Sequence, residues 1–117
     1  MSLQIIDGPT IPAGESLSEG VDCSAGQIVR ITVPQEFTQA NMTFEVSSDG
    51  ALYNAMFDPR GNEITITAKP DSGIALAGEP WVRTVGWLKL RSGSRDHPVS
   101  QREACKFAIA LEIPDAR

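Results

Sequence analysis

The apolar residues of this chain recur with a period of two almost wherever a period can be read, and turn-forming residues cut each run short. Ile28-Val29-Arg30-Ile31-Thr32-Val33 is rich in β-branched residues and stops at Pro34, which has no N–H to extend a ladder. Met42, Phe44 and Val46 alternate with Thr43, Glu45 and Ser47, the pattern of a strand with one dry face. Ser48-Asp49-Gly50 supplies a turn, and Leu52–Phe57 reads as the return strand of a hairpin ending in the turn-rich run Asp58-Pro59-Arg60-Gly61-Asn62. Ile64 and Ile66 alternate with Thr65 and Thr67, and Ile74-Ala75-Leu76 forms a short apolar run. Trp87, Lys89 and Arg91 alternate with Leu88 and Leu90, while Phe107, Ile109, Leu111 and Ile113 make the longest alternation in the chain.

Helix finds little room beside these strands. Pro34–Ala40 could turn once or twice as a connector, with Pro34 tolerated at its start. Ser92–Pro98 is polar and punctuated, as a surface loop should be. Short strands spaced by turns predict an all-β fold, an antiparallel β-sandwich of jelly-roll type. Residues 1–19 contain Gly8, Pro9, Pro12 and Gly14 and read as an extended N-terminal arm or edge strand, leaving residues 20–117 as the sandwich domain.

At 117 residues the chain has the length of one domain and needs no metal or disulfide scaffold to bury a core. Its 41% hydrophobic and 21% charged residues are those of an ordinary globular protein. The sequence leads us to expect neither a membrane span nor an export signal. The net charge of −5 is distributed unevenly. Eight acids face Arg30 alone up to Pro59, and nine bases face seven acids from Arg60 onward. An acidic balance argues against a nucleic-acid partner, and the asymmetry would suit head-to-tail contact between copies as well as simple solvation.

No constellation of catalytic residues emerges. His97, the single histidine, sits in a polar loop beside Asp96 and near Ser100, but neighbours in sequence seldom form a Ser/His/Asp triad. The fifteen acids select no hydrolytic pair. Asp58–Glu63 lacks the ligand spacing of an EF-hand and reads as a hairpin turn. No enzymatic activity, metal or cofactor is therefore expected.

Cys23 and Cys105 admit two readings: buried free thiols, the default in a reducing cytosol, or a disulfide within or between copies. Trp81 and Trp87 also admit two, since large rings favour the core but Trp beside Arg is a frequent contact signature. Trp81, Arg83, Trp87 and Arg91 are accordingly the candidate residues for contact with a partner protein or a glycan.

The segments Pro34–Gly50, Asp58 with Gly61–Ile66, and Trp87–Ser94 resemble a group of small β-rich proteins of tailed bacteriophages and prophages, with order and turns matching over roughly residues 10 to 113. The resemblance implies a virion structural protein made in the bacterial host cytoplasm. A decoration or cement protein on the capsid surface is the leading expectation. Such a protein would bind the major capsid protein and copies of itself through its N-terminal arm and a sheet edge; other phage decoration proteins suggest a homotrimer. The alternative is a head or tail fibre module that binds host-surface glycans through Trp81 or Trp87.

Overall fold

Alternating side chains and frequent turns produce nine strands and one short 3-10 helix in a computed structural model that describes residues 2–114. In chain order the strands are β1 (Ser2–Ile11), β2 (Val21–Asp22), β3 (Gln27–Val33), β4 (Ala40–Ser47), β5 (Asn54–Ala55), β6 (Ile66–Ala68), β7 (Ser72–Ala75), β8 (Trp87–Ser92) and β9 (Cys105–Ile113). They form two antiparallel sheets. The first has the order β1-β9-β3-β7, and the second has the order β2-β8-β4-β5 with β6 also on β4.

β5 and β6 behave as one interrupted strand. Glu45 pairs with Ala55 and Met42 with Ile66, so both pieces run antiparallel along β4. Residues 56–65 leave the ladder between them, and a bridge from Phe57 to Glu63 closes this excursion into a small hairpin. With β5 and β6 counted together, the pairings nest: β4 with β5/β6, β3 with β7, β2 with β8 and β1 with β9.

Both sheets feed one hydrophobic core. Ile28, Ile31, Phe107, Ile109 and Leu111 enter it from the first sheet, and Met42, Phe44, Leu88 and Leu90 from the second. Side chains as large as these each contribute roughly 1.5–3 kcal/mol when fully buried. Alternation then assigns the opposite face. Ala108, Ala110 and Glu112 of β9 point away from the core, and through the β1 register so do Leu3, Ile5 and Asp7. On the second sheet the face away from the core carries Thr43, Glu45 and Ser47 of β4 opposite Arg91, Lys89 and Trp87 of β8.

Two connectors differ from the sequence expectation. Pro34–Ala40 forms no helix; Phe37 N–H reaches Pro34 C=O at 3.3 Å, and the Phe37 ring packs edge-on against Phe107 with centroids 5.8 Å apart. Burying that ring holds the segment in a turn. The 3-10 helix instead spans Pro80–Thr84, where Pro80 starts the turn and Trp81 and Val82 anchor it in the core.

Residues 2–19 form no free arm. β1 is an edge strand paired to β9 from Ser2↔Ile113 to Ile11↔Cys105, with a register shift between Asp7 and Thr10. The following loop is tied to the domain by Gly14 N–H to Gln101 C=O at 2.7 Å and Ser18 N–H to Leu90 C=O at 2.9 Å.

Candidate functional site

The excursion at 56–65 and the 3-10 helix at 80–84 face each other across an open cleft of about 640 Å³. Small-molecule sites usually fall between about 300 and 1,000 Å³. Met56, Ile64 and Trp81 give the cleft an apolar lining, and Phe57, 44% exposed, adds a ring accessible to solvent. Asp58, Arg60 and Glu79 supply the polar groups.

Local hydrogen bonds shape this hairpin. The Asp58 carboxylate accepts the N–H groups of Arg60 at 2.8 Å and Asn62 at 3.0 Å, and Asp58 N–H reaches Asn62 C=O at 2.8 Å. The bond from the Asn62 backbone contributes most to holding the Asp58 carboxyl below its usual pKa. Trp81 lies at 9% exposure and stacks at a tilt on Phe44, with centroids 4.7 Å apart. It can therefore present only a small part of its ring to a ligand. Arg83 is exposed on the same helix but lies outside the cleft lining.

Trp87 and Arg91 occupy a different region, the outward face of the second sheet, and neighbouring parts of the chain enclose them. Gly50 lies against the Trp87 ring so closely that a Cβ there would sit 2.8 Å from it, and its φ of +80° favours glycine independently. The neighbouring Lys89 Nζ lies 4.4 Å from the centroid of the Tyr53 ring. Arg91, 7% exposed, pairs with Glu45 and, at 3.4 Å, with Glu63. Glu63 also accepts the Arg95 N–H at 3.2 Å. Arg91, a contact candidate from the sequence, therefore has its guanidinium buried between two carboxylates of its own chain.

The cysteines are both free and buried. Cys23 precedes by four residues Gln27, which pairs with Glu112 at the far end of β9 from Cys105. Glu112 lies seven positions beyond Cys105 along the strand, a span of about 23 Å. A disulfide needs Cα atoms within about 7 Å, so the intrachain bond considered from sequence does not form. Burial pushes the Cys23 thiol up to about 12, with the Asp22 charge adding to the effect. Cys105 is raised by burial too, and its thiol donates to Gln101 Oε1 and Glu103 C=O, each at 3.3 Å. Neither forms a ready nucleophile.

His97 is exposed on the 93–98 loop, whose ends meet in a Gly93↔Pro98 bridge. Among the described residues no cluster of three His, Cys, Asp or Glu side chains is placed to hold a metal, and no helix is long and apolar enough to cross a membrane. Sequence reasoning picked out Trp81 but not its partners in the cleft, Phe57 and Ile64. The available signal was their placement just outside the Asp58–Asn62 turn, where side chains flanking a tight hairpin share a wall. No protein-family model, curated protein or solved structure matches this chain.

Proposed function

We propose that this protein is a structural component of a tailed-phage virion, a capsid decoration protein that binds the major capsid protein lattice and copies of itself. The observation that carries this reading is the nested strand order. With β5 and β6 taken as one strand, eight strands divide into two four-stranded sheets with the first, eighth, third and sixth in one and the second, seventh, fourth and fifth in the other. That order supports reading the fold as a jelly roll, an architecture used widely in capsid and lectin domains. The sequence resemblance to small phage proteins gives the architecture its context, since a fold alone does not specify a function. A lattice supports such a role because each added contact binds at high effective concentration. Labelled copies should cover the whole capsid surface, and virions lacking the protein should lose resistance to heat and osmotic shock. Labelling restricted to neck or tail, or unchanged resistance, would overturn the reading.

One observation favours a second reading, a glycan-binding module. The cleft offers the exposed Phe57 ring and the Trp81 edge beside the polar groups of Asp58, Arg60 and Glu79, and aromatic surfaces of this type suit the apolar face of a sugar. Phe57→Ala should abolish binding on a glycan array under that reading. Under the decoration reading the wild-type protein shows no glycan binding on such an array.

A further inference from the structure

β1 ends the first sheet, with one side paired to β9; on the other side no strand pairs with Ser2–Asp7 among the described residues, while further along the Glu19 carboxylate accepts the Thr10 N–H at 2.9 Å. Edge strands are usually blunted by charge, proline or a bulge. Here Ser2-Leu3-Gln4-Ile5-Ile6 carries no charge and no proline, and the register shift comes only beyond Asp7. Leu3 and Ile5 are each 52% exposed, and they stand two residues apart on the outward face of this strand. The same face continues across Ala108 and the buried Ala110 of β9 to Arg30 of β3. An open edge and exposed apolar side chains thus coincide on one short uncharged segment of a protein with a net charge of −5.

We infer that this edge pairs with the same edge of a second copy, antiparallel about a two-fold axis at Gln4. A two-fold axis normal to the sheet keeps outward residues outward, so only registers joining residues of the same face are allowed. Centring on Gln4 sets Leu3 against Ile5 of the second copy and Ile5 against its Leu3. The two apolar side chains of each copy then form one four-residue cluster, and cross-strand pairs of this kind contribute roughly 0.2–1 kcal/mol each in addition to the backbone bonds. On the other face Gln4 meets its own twin, where two amides can exchange hydrogen bonds. The uncharged segment lets two acidic chains meet without opposing carboxylates. The contact is short, so it forms a weak pair in solution that a lattice or high concentration would populate. This inference does not depend on the decoration reading.

Sedimentation over a wide concentration range should show a monomer converting to a dimer, and Ile5→Lys should leave only monomer. Ile5 is half exposed, so far-UV circular dichroism should be unchanged and loss of the dimer cannot be attributed to unfolding. Gln4→Cys should join two copies through a short thiol cross-linker, since Cys23 and Cys105 are buried, whereas Asn41→Cys, exposed on β4, should not. A monomer at every concentration, a dimer or trimer unaffected by Ile5→Lys, or equal cross-linking of the two cysteine variants would overturn the proposal.

Discussion

The outward faces of the two sheets use their residues in opposite ways. On the second sheet the aromatic and charged groups are engaged within the chain: Arg91 pairs with Glu45 and Glu63, Lys89 lies over Tyr53, and Trp87 lies under Gly50. On the first sheet the outward face leaves Leu3 and Ile5 exposed near the edge, with Arg30 and Glu112 also exposed and Asp7 paired to Lys106 at 2.8 Å. Residue types that usually signal recognition are thus consumed in holding one face closed. The accessible apolar surface lies on the other face, where Leu3 and Ile5 stand on a strand edge that is unpaired among the described residues. Residue type alone does not locate an interface; what neighbouring side chains leave uncovered does.

Arg91→Ala should break this contrast most severely, because it leaves Glu45 and Glu63 facing each other without their cation. A loss of about 3 kcal/mol is expected in urea denaturation, within the range for removing one partner of a buried pair. Gly50→Ala should cost about 1–2 kcal/mol, since the new Cβ meets the Trp87 ring in a backbone conformation that L side chains rarely adopt; Trp87 fluorescence should shift toward a solvated indole. Acid should loosen the second sheet's loops before the first sheet. Asp22, Asp49 and Asp58 all have pKa values lowered by hydrogen bonds from the ordinary value of 3.8. Their folded pKa values lie below the unfolded ones, so the stabilisation is complete above about 4 and disappears as pH falls through the folded values. Amide signals of Ala51, Leu52, Arg60 and Asn62 should broaden or shift together in that window. Ile5→Lys should change monomer stability by less than about 0.5 kcal/mol, as for ordinary surface substitutions.

Much of the fold was legible from alternation. β4, β8 and β9 lie where the period-two runs place them, because each has one face against the core and one away from it, and β3 lies where its β-branched run and the Pro34 stop place it. Leu52–Phe57 was harder to read. Only Asn54 and Ala55 form β5, because Ser48–Leu52 turns on the Asp49 carboxylate and residues 56–65 leave the ladder. The 3-10 helix was hidden because Trp81 and Val82 are anchored by a core contributed from elsewhere, Phe44 included. Of the site residues, Trp81 was visible by type. The enclosure of Arg91 was not, since it depends on Glu45 from an adjacent strand and Glu63 from the excursion. Leu3 and Ile5 drew no attention from the pattern, because an alternation in an edge strand does not say which face remains bare.

Hydrogen exchange measured at increasing protein concentration tests the central contrast most directly. Protection at Leu3–Ile6 should rise with concentration while the amides of residues 48–55 stay unchanged. Protection that grows in residues 48–55 instead, or in neither region, would contradict the account.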